Sequence, residues 1–307
     1  FATTHKITNY NQQQEEYNWA DVQQVYWKAY DGTQLRGLLY TPENLDTTKK
    51  YPMLVYFYER NSDMLHYYYA PKPTASIIYP TEYASNGYVV FIPDVEYEPG
   101  HPAKSAYNCI VSGTEAMVNQ FPFIDSTKMG LQGQSWGGYQ TAQLVTMTDK
   151  YTAAMAGAPV SNMFSAYGGI RWGSGLSRQF QYERTQSRIG ATIWEKPELY
   201  IENSPIFHLP NVTTPLLIMH NDDDGAVPWY QGIEMYMGLR RLHKPVWMLN
   251  YNGDQHNLMQ IANRRDLSRR MMQFFDHFLK GKPAPIWLEK GIPAVQKQKN
   301  YGFDIER

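Results

Sequence analysis

The sequence predicts an α/β architecture: a mainly parallel central sheet with helices on both faces. Three observations carry that expectation. Short, nearly continuous apolar runs recur at residues 53–58, 88–93, 129–132, 153–156, 216–220 and 246–251. Strands apolar on both sides belong inside a covered parallel sheet, whereas half-wet antiparallel strands alternate. Longer stretches of helical periodicity separate these runs, which is the alternation a layered α/β domain needs. Finally, 307 residues with 43% hydrophobic and 19% charged content describe a globular chain long enough to bury a substantial core.

The opening residues are polar, with Gln12, Gln13, Gln14, Glu15 and Glu16 in a row and no apolar period. Residues 1–24 therefore read as a connecting segment, residues 25–285 as the domain and residues 286–307 as a tail. Residues 25–30 and 35–40 are β-rich and flank Asp31-Gly32, the pattern of a hairpin. Helices are expected at 105–119, 229–242 and 264–279. The last carries Leu267, Met271, Phe274, Phe275 and Phe278, and stops at Gly281 with Pro283 beyond. Residues 168–194, rich in Gly, Arg and aromatics, read as a partly helical excursion from the sheet beside the functional site.

Composition narrows the function. A net charge of -1 gives no reason to expect a nucleic acid or an acidic membrane as partner. No apolar run approaches the ~20 residues of a membrane-spanning helix, so a soluble domain is expected. The single cysteine, Cys109, excludes an internal disulfide and a multi-thiolate metal site, and its helix-like setting points to packing. No cofactor is expected. The chain opens on Phe1 rather than methionine, which suggests a processed chain or part of a longer one. A periplasmic or extracellular location is the working expectation, the cytoplasm the alternative.

Gly133-Gln134-Ser135-Trp136-Gly137-Gly138 is the most informative segment. A G-x-S-x-G pattern gains meaning from its setting, here a short strand before it and a helix-compatible stretch, 139–146, after it. That arrangement makes a nucleophile elbow, with Ser135 strained at the strand end and a helix N-terminus supplying positive potential for an oxyanion. A phosphate-binding turn is the competing reading, but neither G-x-G-x-x-G nor a Lys-Ser/Thr ending is present.

An α/β-hydrolase fold orders its catalytic residues Ser, then Asp or Glu, then His, the last two just after strands. After the run at 216–220 come Asp222, Asp223 and Asp224. The phrase Asp224-x-x-Val227-Pro228 favours Asp224, with Asp222 as the fallback. After the next strand, a short turn delivers His256. His208 and His220 precede Asp224, His243 lies between helix and strand, and His277 belongs to the last helix. His256 would then take the Ser135 proton while Asp224 fixes its tautomer. A metal-hydrolase reading of His220 with Asp222 and Asp224 lacks a second histidine nearby, so no metal is expected.

These segments resemble the prolyl oligopeptidase family of serine peptidases, in its dipeptidyl peptidase IV-like branch. The resemblance runs from about Val25 to Leu279. Besides the Ser135 motif it rests on Tyr51-Pro52, Gly87-Tyr88, Ala158-Pro159-Val160, Ser204-Pro205, the stretch from Thr214 to Pro228, and the turn from Tyr251 to His256. It implies hydrolysis of short peptides through an acyl-enzyme, of dipeptidyl or oligopeptidase type, and an N-terminal β-propeller that limits access. It also implies that the Tyr58 hydroxyl joins the backbone N–H of Trp136 in the oxyanion hole. Trp136, Val160, Met163, Tyr167 and Val227 would build the pocket for the residue before the scissile bond.

In one place the chain departs from the family. A Gly-Gly-Pro-like turn is replaced by Glu59-Arg60-Asn61, which should alter the backbone path and the rim of the cleft. An apolar pocket disfavours charged side chains through desolvation, while Arg60 and Arg171 leave an acidic preference open. Two other functions stay compatible with the sequence: an ester hydrolase using the same three residues, and a non-catalytic binding module on the same fold. Oligomeric state is not legible.

Overall fold

A computed structural model describes residues 3–306. In chain order the strands are β1 (Ala20–Lys28), β2 (Gln34–Pro42), β3 (Tyr51–Tyr56), β4 (Val89–Pro93), β5 (Ile124–Gln134), β6 (Ala153–Gly157), β7 (Ile170–Arg171), β8 (Leu176–Ser177), β9 (Leu216–Met219) and β10 (Val246–Leu249). The helices are α1 (Pro80–Ser85), α2 (Pro102–Gln120), α3 (Trp136–Met147), α4 (Met163–Tyr167), α5 (Gln179–Glu183), α6 (Pro197–Glu202), α7 (Tyr230–Arg241), α8 (Ile261–Lys280) and α9 (Ile286–Glu289). Eight strands form one sheet in the order β1-β2-β4-β3-β5-β6-β9-β10, and β7 pairs with β8 alone. The pairs β1–β2 and β2–β4 are antiparallel; every later pair in the large sheet is parallel.

Alternation along the strands builds two cores. Met53 and Val55, Val89 and Phe91, and Leu216 and Ile218 face one side, where α2, α3 and α7 supply Ile110, Leu144 and Met235. Leu54, Val90, Ile92, Leu217 and Met219 face the other, covered by Tyr83 of α1 and by Leu267, Met271, Phe274 and Phe275 of α8. Because both faces are dry, each strand reads as an unbroken apolar run. Burying one such side chain contributes roughly 1.5–3 kcal/mol.

The strand boundaries differ from the sequence-based ones in an instructive way. Pairing with β2 begins at Ala20, ahead of the expected run at 25–30. β5 begins at Ile124, because its polar residues 125–128 stay in the strand while lying at the rim. Residues 57 and 58 fall beyond β3, and β9 and β10 end at Met219 and Leu249. Helix α8 stops at Gly281 with φ +67°, where Lys282 N–H reaches the Asp276 carbonyl at 3.1 Å. That is the left-handed cap a glycine allows. Within the expected tail, Trp287 and Leu288 fold back and are buried in the second core.

Register decides where the site lies. Gln134, Gly157, Met219 and Leu249 are successive partners across β5, β6, β9 and β10, and Tyr56 of β3 pairs with Gln132. The loops that follow these strands thus leave from one edge of the sheet. Ligands of open α/β sheets bind outside the carboxyl ends of the strands, where strand order reverses. Here the order reverses around β3 and β5.

Candidate active site

Ser135 sits between β5 and α3 with φ +60° and ψ −114°. A non-glycine residue held there costs about 1–3 kcal/mol, so the surroundings must enforce it. They do so through the backbone: Ser135 N–H donates to Gly157 O at 2.8 Å, and Tyr139 N–H donates to Ser135 O at 2.9 Å. The flanking glycines make the turn possible. A Cβ on Gly133 would fall on the Gly137 carbonyl, and one on Gly137 would fall on the Phe57 carbonyl. The second contact presses the end of β3 against the elbow. The Tyr58 ring lies 3.8 Å from where that Gly137 Cβ would stand. Trp136 opens α3, so its N–H is among the first-turn donors without an intrahelical acceptor.

Of the three neighbouring aspartates, the fold brings Asp224 to the histidine. Its Oδ2 accepts from His256 Nδ1 at 2.7 Å, and its Oδ1 accepts from the backbone N–H groups of Ala226 and Val227 at 2.8 and 2.9 Å. Asp222 instead accepts from Gly253 N–H and Asn252 in the turn before His256, and Asp223 is exposed. With Nδ1 facing a carboxylate, the neutral imidazole carries its proton there and leaves Nε2 as the base. The Asp224 side chain is fully buried and that of His256 is 20% exposed. Burial by itself would raise the Asp224 pKa; hydrogen bonds from His220 and His256 more than offset it and hold the carboxyl below the usual range.

Gln134 ties the two halves together. Its Nε2 donates to the His256 carbonyl at 2.8 Å, which holds the histidine loop beside the elbow. Asn221 donates to the neighbouring Gln255 carbonyl at 2.7 Å. No hydrogen bond between Ser135 Oγ and His256 Nε2 is formed among the described residues. In unliganded enzymes such contacts commonly tighten only on substrate binding.

Sequence reasoning passed over His220 because it precedes Asp224. In the structure it is fully buried, with Nε2 at 3.1 Å from the Val227 carbonyl and 3.3 Å from Asp224 Oδ2. Both neighbours are acceptors, so Nε2 carries the proton. The ring packs on α7, where a Cβ on Gly232 would stand 2.6 Å from Nδ1. A histidine continuing an otherwise apolar strand into the core was the available signal. Gln134 offered none, since its partner lies 122 residues away.

The expected pocket residues Trp136, Val160, Met163, Tyr167 and Val227 all belong to one buried cluster with Tyr139, Ala166, Tyr182 and Tyr200, against which Tyr58 packs. The Trp136 ring is occupied inside it, stacked on Tyr139 at 4.4 Å and donating its indole N–H to Tyr97 at 2.8 Å. Tyr58 keeps its place by donation from Gln140 to its carbonyl at 2.9 Å. The charged departure after it is paired: Glu59 meets Arg188 at 3.1 Å, and Arg188 lies over the Tyr97 ring at 4.7 Å. Arg171 donates to Gln181, and Arg60 is exposed. Among the described residues no group of three or more His, Cys, Asp or Glu side chains is placed to hold a metal ion, and no helix is long and apolar enough to cross a membrane.

A strand–Ser–helix elbow at the switch point of a mainly parallel sheet, with an acid and a histidine after later strands, defines an α/β-hydrolase. More particularly, the chain belongs to the prolyl oligopeptidase family, whose sequence profile matches residues 80–282. It is 25% identical over 268 residues to the uncharacterized peptidase YuxL of Bacillus subtilis, covering 84% of this chain and 39% of that protein. To dipeptidyl-peptidase 5 of Porphyromonas gingivalis it is 24% identical over 277 residues, covering 83% and 37%. An acylaminoacyl peptidase structure from Pyrococcus horikoshii shares the fold with a TM-score of 0.74 at 21% identity, covering 94% of this chain and 47% of that one. The chain thus spans about two fifths of the length of these curated relatives.

Proposed function

We propose that this chain is the catalytic domain of a serine peptidase that hydrolyses short peptides through an acyl-enzyme. Ser135 Oγ attacks the scissile carbonyl and its proton passes to His256 Nε2. Asp224 holds the ring and stabilises the imidazolium that forms. The tetrahedral oxyanion takes hydrogen bonds from Trp136 N–H and the Tyr58 hydroxyl. On collapse His256 gives the proton to the leaving amine, and water then cleaves the acyl-enzyme by the same steps in reverse roles.

The observation that carries this reading is the 2.7 Å contact between His256 Nδ1 and Asp224 Oδ2, in a loop that Gln134 anchors beside the strained Ser135. The apolar cluster of Val160, Met163, Tyr167 and Val227 supports a pocket for proline or another uncharged residue. The pairing of Glu59 with Arg188 neutralises the carboxylate beside Tyr58, while the guanidinium of Arg171 meets only the neutral Gln181 and keeps its charge. Because the chain spans about two fifths of these relatives' length, we infer that the whole protein also carries the β-propeller that the resemblance implies.

A panel of dipeptidyl and N-blocked chromogenic peptides, assayed beside short-chain esters, tests the reading. Peptide turnover that disappears in Ser135→Ala is the expected result. Turnover of esters alone would replace the peptidase with an ester hydrolase.

A further inference from the structure

Three hydrogen bonds, running through two side-chain amides, connect a guanidinium to the Tyr58 hydroxyl. Arg171 Nη1 donates to Gln181 Oε1 at 3.3 Å, Gln181 Nε2 donates to Gln186 Oε1 at 2.8 Å, and Gln186 Nε2 donates to the Tyr58 hydroxyl oxygen at 2.8 Å. Every donor in the chain points the same way. All three donor residues lie in the excursion between α4 and α6, and Gln186 meets Tyr58 across 128 residues of sequence.

The direction has a chemical cause. A guanidinium has donors and no acceptor, so the Gln181 amide must turn its oxygen to Arg171 and its nitrogen onward. Gln186 must then turn its oxygen to Gln181 and its nitrogen to Tyr58. A phenolic oxygen that accepts from an amide keeps its own proton for another partner. Among the described residues the Tyr58 hydroxyl has no acceptor, so that proton is uncommitted. Aligned hydrogen bonds also polarise one another, strengthening the terminal donor.

We propose that Arg171, Gln181 and Gln186 form a one-way hydrogen-bond relay that orients the Tyr58 O–H toward the substrate oxyanion and strengthens it as a donor. This rests on the oxyanion role given to Tyr58 above. Gln186 is accordingly a positioning residue acting through Tyr58. The local backbone is suited to hold it: Arg188 donates to the Gln186 carbonyl at 2.5 Å while pairing with Glu59 next to Tyr58. The excursion therefore does more than fill space beside the pocket.

The relay makes an asymmetric prediction about substitutions. Gln186→Met removes the donor and leaves the tyrosyl proton free, so catalysis weakens several-fold. Gln186→Glu places an acceptor there, which draws the proton away from the substrate and costs more. Arg171→Glu should behave like Gln186→Glu, since an acceptor at the far end lets both amides reverse. It also changes only the partly exposed ladder strand β7, which guards against a Gln186 variant that does not fold.

The experiment measures the second-order rate of labelling by a fluorophosphonate, together with kcat and KM on the best peptide of the panel. It uses the full chain, with and without Tyr58→Phe. Tyr58→Phe should slow labelling by about 10²-fold or more. In the Tyr58 background the order of rates should be wild type, Gln186→Met, then Gln186→Glu and Arg171→Glu, with kcat falling and KM steady. In the Tyr58→Phe background these substitutions should change nothing further. Equal slowing in both backgrounds, or Gln186→Glu at the wild-type rate, overturns the relay. Wild-type labelling by Tyr58→Phe overturns the oxyanion role itself, and the relay with it.

Discussion

Gln134 Nε2 donates to the backbone carbonyl of His256 at 2.8 Å, so the residue before the elbow serine holds the loop that carries the histidine. Gln134→Leu would leave that carbonyl without its partner, at a cost of about 1–3 kcal/mol, and would release the loop. We expect kcat to fall about tenfold or more, as misplacement of a catalytic group commonly does. Labelling of Ser135 should slow and not vanish. Steady-state kinetics and a labelling time course on the variant check both points.

Asp224 provides a pH prediction. Burial raises its pKa, but the hydrogen bonds from His220 and His256 lower it further, and the net direction is down. A depressed carboxyl binds its proton less readily in the folded state than in the unfolded one. Its stabilisation is therefore complete above the ordinary aspartate pKa of about 3.9 and is lost as pH falls through the depressed value. Urea unfolding between pH 7 and pH 2 should show this acid-side slope reduced in His220→Leu and smallest in Asp224→Asn. Parallel curves for all three proteins would contradict the assignment.

His220 also makes Gly232 a sensitive position. A Cβ there would stand 2.6 Å from Nδ1 and 2.7 Å from Cβ of His220. Gly232→Ala must push the ring toward Asp224 and should destabilise by about 1–3 kcal/mol, with a loss of activity. Gly168→Ala is the control, because nothing lies within 4 Å of its would-be Cβ. Chemical denaturation of the two variants separates the outcomes.

Cys109 should behave as an inert packing group. It is buried on α2, and desolvation pushes its thiol up to about 11. A disulfide reagent at pH 8 should leave the native protein untouched and titrate one thiol after unfolding. The sign of the linkage follows as well. A raised thiol pKa stabilises the fold below the unfolded value of about 8.5, and this contribution is lost as pH rises toward 11. Cys109→Ala should therefore lose less stability than wild type over that alkaline interval.

What the sequence could reveal follows from which signals are local. Strands such as β3, β4 and β9 were legible because burial on both faces writes an apolar run. Their ends were not, since β5 reaches back through the polar, half-buried or exposed residues 125–128, which write no apolar run. Ser135 stood out by its glycines and His256 by its place after the last sheet strand. Asp222 and Asp224 are chemically the same in sequence, and only the fold sends one to Asn252 and the other to His256. Gln134, His220 and Gln186 matter through partners that no local pattern encodes. The Glu59 departure looked like a charged rim until Arg188, 129 residues later, was seen to neutralise it.

The central claim is that Ser135 is the nucleophile, activated by His256. Intact-mass and peptide-mass analysis after exposure to a fluorophosphonate addresses it directly. The account predicts a single adduct mapping to Ser135, absent in Ser135→Ala and formed far more slowly in His256→Ala. An adduct of the same mass and rate in Ser135→Ala would contradict it.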